Sequence, residues 1–506
     1  MATGAQVQSI IADGASGIVI DIECHLSNNL PSIVIVGFAN RSVGEARERI
    51  RGAFATSRIM LPRKRITVNL APADIPKADS GFDLAIAMSI LLADRQLDAS
   101  SLAPACAFIG ELGLDGSVRA VRGIIGKLLA GRGHGLRTFY IPRSNLRQAR
   151  LVPRVRLVPV GSLQELYLHL AGAAAIEPIN TRQGQYDPTV AAPVKSTVYM
   201  SEIAGQEQAK RALLIAAAGG HNVFLSGPPG TGKSMLAKAL PSLLPPLSRE
   251  EALEVTQLHS LASRDYDKVA ADRPFRSPHH SASQASIIGG GQPLRPGEIS
   301  LAHRGVLFLD ELPEFSHTTL EALRQPLEDR AISIARAQTT LDYPANFILV
   351  ATANPCACGY YAGAGTCACL PYQVGQYQRR LSGPILDRID LSTPVNNIKY
   401  TGLLRQTADE HSDRGTARQV RQTRQLQAER YGRGGKLNAD MTNADIKRRG
   451  HVTKQAETTL NTAARQMKLS SRAYMRTIKV ARTIADLDHS GPVTAAHITE
   501  ALTYRT

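Results

Sequence analysis

The stretch Gly227-Pro228-Pro229-Gly230-Thr231-Gly232-Lys233-Ser234 constrains this chain more than any other. It fits G-x-x-x-x-G-K-[ST], a phosphate-binding loop. Glycines let backbone N–H groups turn onto phosphate oxygens where a side chain would block the approach. Lys233 places a compact positive charge on the β- and γ-phosphates, and the Ser234 hydroxyl reaches Mg²⁺. The flanks suit the loop: residues 221–226 read as a short buried strand and residues 235–240 as a helix whose N-terminus faces the anion. Strand, loop and helix in this order place the segment in an α/β fold that binds a nucleoside triphosphate.

Two further apolar strands carry polar residues at their ends. Val306-Leu307-Phe308-Leu309 runs into Asp310-Glu311. Asp310 is expected to hold Mg²⁺ through water, and Glu311 to orient and polarise the attacking water. Phe347-Ile348-Leu349-Val350-Ala351-Thr352 delivers Asn354. That residue either positions the water and senses the γ-phosphate, or serves as a turn residue ahead of Pro355.

With 506 residues the chain has room for two or three domains. It holds no apolar run of about 18 residues, so no membrane span is expected. Its start lacks a basic segment followed by an apolar one, which points to the cytoplasm. Six cysteines, four of them clustered, suit a reducing compartment. The net charge of +16 favours a polyanionic partner. Residues 1–175 alternate strands and helices, with strand-like 17–20 and 32–36 and helix-like 43–54. Residues 176–198 lack periodicity and read as a linker. Residues 199–400 carry the phosphate loop and its companions. Residues 401–506 are helical, with 19 Lys/Arg against 10 Asp/Glu, either a solvated surface or a nucleic-acid footprint.

Cys356, Cys358, Cys367 and Cys369 supply the thiol count of a structural zinc site, and reduced free thiols are the alternative. Two insertions are placed to line a central pore. One is the Gly-rich stretch 285–299; the other, 332–343, alternates like a hairpin. Arg336 on that hairpin either meets DNA phosphate or belongs to a hairpin that only packs on its neighbour.

The loop, the acidic strand and the Asn354 strand resemble an AAA+ ATPase. Pro274-Phe275-Arg276-Ser277-Pro278-His279-His280, the Gly-rich stretch, Pro296-Gly297-Glu298 and Asn354-Pro355-Cys356 resemble the magnesium-chelatase-like branch. Within it, essentially the whole chain resembles the ComM (YifB) family. The resemblance implies an α/β protein: an N-terminal Lon-protease-like α+β domain, an AAA+ parallel-sheet core and a C-terminal helical lid. It further implies ATP and Mg²⁺ as cofactors, a hexameric ring, and a branch-migration helicase acting on single-stranded or branched DNA in recombination or natural transformation. A magnesium-chelatase-type motor subunit is one rival reading, and an ATP-dependent Lon-like Ser-Lys peptidase is another. The segment around Arg388 resembles the one whose arginine reaches the neighbouring subunit's γ-phosphate. Arg472, in Ser470-Ser471-Arg472, resembles the second sensor that couples the lid to the nucleotide. Ser80 and Lys127 fall near the serine and lysine of a Lon-type dyad, although Gly81-Phe82-Asp83 departs from the small residues usual after that serine.

Overall fold

The computed structural model describes residues 4–13, 16–37, 41–73, 81–181, 198–263, 268–291, 294–336, 339–361, 367–380, 383–397, 409–432 and 435–505. The N-terminal region is mixed α and β, as expected. Strand Ser16–Ser27 pairs antiparallel with both Gly4–Asp13 and Arg65–Ala71, and Ser32–Val36 joins the latter in parallel. In Arg65–Ala71 every second residue is buried, so Ile66, Val68 and Leu70 form one apolar face. Helix Asp83–Ala93 packs against that sheet and is buried almost all round, which its run of Leu, Ala, Ile and Met permits. A second sheet joins Cys106–Phe108, Thr138–Pro142 and Arg156–Val160 in parallel. Ile179–Asn180, within the expected linker, closes its edge antiparallel, held by Thr181 Oγ1 donating to the Val155 carbonyl at 3.0 Å. Residues 182–197 of that linker lie outside the described residues.

The central region contains a parallel sheet of five strands. Across the sheet they run Phe275–Arg276, Val306–Leu309, Ile348–Ala353, Val223–Ser226, Leu391–Pro394. The middle strands are apolar without alternation because helices cover both faces. The phosphate-loop strand sits between its two neighbours, so every group at its C-terminal end converges where parallel α/β sheets bind ligands.

Helices Glu410–Tyr431, Lys454–Gln466, Ser471–Leu487 and Ala495–Thr503 follow, as the helical pattern predicts. They share one apolar core with the sheet through helix Glu207–Gly219. Arg424 Nε donates to the Ala217 carbonyl at 2.8 Å and Gln427 Nε2 to that of Ala218 at 3.0 Å, satisfying carbonyls at that helix's C-terminus. Asp486 accepts from Arg430 at 2.7 Å and from Arg482 at 2.7 Å in the interior. Part of the basic excess is therefore structural, spent on packing and buried ion pairs. Among the described residues no helix is long and apolar enough to cross a membrane. The N-terminal region touches the central one: Gln148 Nε2 donates to the Lys268 carbonyl at 2.9 Å, and Arg249 donates to that of Leu151 at 3.2 Å.

Candidate active site

The C-terminal ends of three neighbouring strands bring the expected residues together. Lys233 begins helix Lys233–Leu243, and its buried ammonium donates to the Gly227 carbonyl at 2.7 Å, the Pro228 carbonyl at 2.7 Å and Asn354 Oδ1 at 3.1 Å. Burial pulls its pKa below the ordinary range, while Asp310 and Glu311 push it back up. Ser234 Oγ donates to Asp310 Oδ2 at 3.1 Å. Gly230 and Gly232 have φ of +76° and +90° with open space beside their Cα atoms, where a Cβ would strain the loop and narrow the groove. Thr231 Oγ1 closes the loop onto the Pro228 carbonyl at 2.9 Å. Pro229 lies at its crest, against Gly359. The groove with its N–H-rich loop suits a polyphosphate, and the hydroxyl–carboxylate pair is a hard-oxygen donor set suited to Mg²⁺.

Glu311 is exposed and adopts φ +54°, ψ +55°, a left-handed conformation that costs a non-glycine residue free energy and recurs at functional sites. Thr352 pins this geometry: its hydroxyl donates to Asp310 Oδ1 at 2.5 Å and accepts the Glu311 N–H at 3.0 Å.

Arg388 and Arg472 lie at the other end of the same sheet. Asn222, just ahead of the phosphate-loop strand, donates to the Arg388 carbonyl at 3.2 Å, and Arg388 precedes the parallel strand Leu391–Pro394. Four-residue strands separate this edge from the phosphate loop by about 13 Å at ~3.3 Å per residue. Both arginines converge on Glu328, Arg388 at 2.7 Å and Arg472 at 3.7 Å. Arg472 is thus placed beside Glu328, its ion-pair partner. Helix Ser471–Leu487 starts beside Glu328, and Arg330, two residues on, donates to the Phe347 carbonyl ahead of strand Ile348–Ala353.

The expected hairpin is present as Ala331–Arg336 and Thr339–Pro344, with Arg336 opposite Thr339. The Arg336 side chain lies outside the described residues. A short ladder, Gly289–Gly290 with Arg295–Pro296, packs on the hairpin: a Cβ on Gly289 would come within 2.4 Å of Ile334, and Tyr343 Oη donates to the Leu294 carbonyl at 3.3 Å. Arg276 and Glu298, from two motifs distant in sequence, form a two-pronged ion pair at 2.5 Å.

Cys356, Cys358, Cys367 and Cys369 bring their sulfurs within 4.8 Å of one another. In the N-terminal region Ser80 lies outside the described residues. Lys127 is fully buried in helix Ile124–Gly133. Asp83 accepts from Arg49 Nε at 2.7 Å and from the Leu112 N–H at 3.2 Å, so this departure from the dyad pattern is an internal anchor.

Three residues with roles here carry no motif. Thr352 is a polar residue within an apolar strand, a hint of a special position that does not reveal its partners. Gln206 has φ +59° and bridges the Thr231 carbonyl at 3.3 Å to that of Asn396 at 2.6 Å, bracing the loop. Glu328 sits in an unremarked acidic stretch, and nothing local in sequence marks it.

The model of "Magnesium chelatase, subunit ChlI" matches residues 199–403, that of its C-terminal part residues 410–505, and "Subunit ChlI of Mg-chelatase" residues 22–145. A protein named YifB from Salmonella typhimurium is 42% identical over 505 residues, covering 99% of this chain and 97% of its own. "Competence protein ComM" from Haemophilus influenzae is 42% identical over 503 residues, covering 99% and 97%. The "Magnesium-chelatase 38 kDa subunit" of Rhodobacter capsulatus is 28% identical over 173 residues, 31% of this chain and 49% of its own.

Proposed function

The chain belongs to the ComM (YifB) family of magnesium-chelatase-like AAA+ ATPases, and on that premise we propose that it is a ring-forming, ATP-hydrolysing motor that moves on single-stranded or branched DNA. The carrying observation is the division of its charged groups. The phosphate loop and carboxylates stand at the C-terminal ends of the strands, and the Arg388 backbone, held by Asn222, at the N-terminal ends, with Arg472 sharing its Glu328 partner. A ring in which one subunit's arginine edge faces the next subunit's phosphate loop unites the halves, and six subunits are the count implied by resemblance.

Each residue's task follows from its place. The loop N–H groups and Lys233 hold the β- and γ-phosphates of ATP. Ser234 and Asp310 would hold Mg²⁺, which when bound neutralises phosphate charge. Glu311, exposed just beyond its strand, orients and polarises the attacking water, and Asn354 positions it from beside Lys233. Arg388 and Arg472 of the neighbouring chain meet the charge that develops on the γ-phosphoryl group.

DNA as the substrate rests on the net charge of +16, on the paired hairpins that carry Arg295 and Arg336, and on the competence protein among the relatives. Recombination during uptake of DNA is the process this fits. The N-terminal region serves as a Lon-protease-like scaffold rather than a peptidase, and the thiol cluster takes a structural zinc. A magnesium-chelatase-type motor is the second reading, favoured by the family models. ATPase rate measured with single-stranded and branched DNA across a salt series separates them. Stimulation by DNA that fades as salt rises supports the DNA motor. A rate indifferent to DNA but raised by a chelatase partner subunit supports the rival. Lys233→Ala should reduce hydrolysis to background in either case, checked by phosphate release.

A further inference from the structure

The thiol cluster does not stand apart from the ATP site. Cys356 lies two residues beyond Asn354, joined through Pro355, whose ring fixes φ and stiffens the link. Asn354 accepts from the Lys233 ammonium at 3.1 Å. Gly359, inside the cluster loop, has φ +87°, and a Cβ there would come within 2.5 Å of Pro229 on the phosphate loop. The loop backbone therefore rests on the crest of the phosphate loop, in a conformation that favours glycine. Its N–H donates to the Cys356 carbonyl at 3.0 Å, and the Tyr361 N–H to Cys356 Sγ at 3.3 Å.

Sulfur spacing suits a tetrahedral metal ion. Four thiolates about 2.3 Å from a tetrahedral Zn²⁺ lie about 3.8 Å from one another. Cys356 and Cys367 are 3.8 Å apart, Cys358 and Cys367 3.6 Å, and Cys356 and Cys358 3.3 Å. A disulfide would need about 2.05 Å. Among the described residues the group is all sulfur, a soft donor set that selects Zn²⁺ over Mg²⁺ or Ca²⁺. Four protein ligands fill a tetrahedron and leave no position for chemistry.

We propose that Zn²⁺ in this cluster is a positioning clasp for ATP hydrolysis, holding Asn354 against Lys233 and seating Gly359 on Pro229. This rests on reading Lys233 and Asn354 as part of the ATP site. Removing the metal frees the thiols, and the Asn354 turn and the loop seat relax together. Binding of the phosphates through the loop N–H groups persists, whereas the position of the attacking water is lost, so kcat falls more than ATP affinity.

The test uses the full chain. Metal analysis should give one zinc per chain, released on titration with a mercurial thiol reagent. Cys358→Ser and Cys367→Ser should lose the zinc and lower kcat at least about tenfold, the scale for loss of an outer-shell support. Gly359→Ala keeps all four thiols, so it should retain zinc yet lower kcat, which guards against variants that merely misfold. Combining Cys358→Ser with Asn354→Ala should cost no more than the larger single change, because both remove one positioning effect. Absence of zinc from the purified protein overturns the proposal. So does an unchanged kcat after zinc loss, or multiplicative losses in the double variant. Wild-type hydrolysis by Lys233→Ala would instead sink the underlying reading of the ATP site, which separates the two failures.

Discussion

The two edges of the central sheet are built to different rules. At the C-terminal edge, Lys233, Ser234, Asp310, Asn354 and Thr352 bond one another within a single chain. At the N-terminal edge, Arg388 and Arg472 meet at Glu328, and Arg472 keeps 61% of its side chain exposed. In the proposed reading the first edge suffices to hold phosphate and metal. The second holds Arg388 buried and Arg472 exposed beside one carboxylate, and in the proposed ring it faces a neighbour's phosphate loop. In the proposed ring a sheet four residues deep separates binding from charge stabilisation, and hydrolysis would depend on packing one chain's edge onto another's.

Substitutions at the two edges should differ in kind as well as in size. The largest effect is expected from Arg388→Ala, with hydrolysis reduced about 10³-fold or more while ATP still binds. Adding a chain that carries both Arg388→Ala and Glu311→Gln to wild-type protein should depress the rate per wild-type subunit, measured by phosphate release, because that chain neither hydrolyses ATP nor completes its neighbour's site. Rates that simply average would break the contrast between the edges. Glu311→Gln should lower kcat by about 10²–10⁴ and trap ATP, seen as slow release of a labelled nucleotide. Hydrolysis at the wild-type rate would remove the water-orienting role from that carboxylate. A smaller effect is expected from Glu328→Gln, about tenfold or less, because a half-exposed ion pair is worth roughly 1 kcal/mol. ATP affinity should not move, since Glu328 lies at the arginine edge; a change in affinity would mean that the edges are coupled inside one chain.

How far the sequence foretold this arrangement follows the same division. The phosphate loop, Asp310, Glu311 and Asn354 were legible because each follows its own apolar strand, and parallel strands bring their C-terminal ends together. The hairpin at Ala331–Pro344 was legible from alternation, with Ile332 and Ile334 turned inward. The partnership of Arg388 and Arg472 through Glu328 was not, because it joins residues from the core and from the last helices that no local period relates. Thr352 escaped notice for a different reason: its hydroxyl serves two residues of the neighbouring strand, and strand pairing is invisible in one strand's pattern. Arg424, Arg430 and Arg482 looked like surface charge by composition, yet they are structural, which only packing reveals.

Subunit mixing tests the division of the site most directly. Arg388→Ala and Glu311→Gln chains, each inactive alone, are combined and their ATPase rate is measured. In a mixed ring, an Arg388→Ala chain keeps its own Glu311, and a Glu311→Gln neighbour supplies it with an intact Arg388. The account predicts that the mixture recovers a substantial fraction of the wild-type rate. A mixture no more active than the sum of its inactive parts would contradict it.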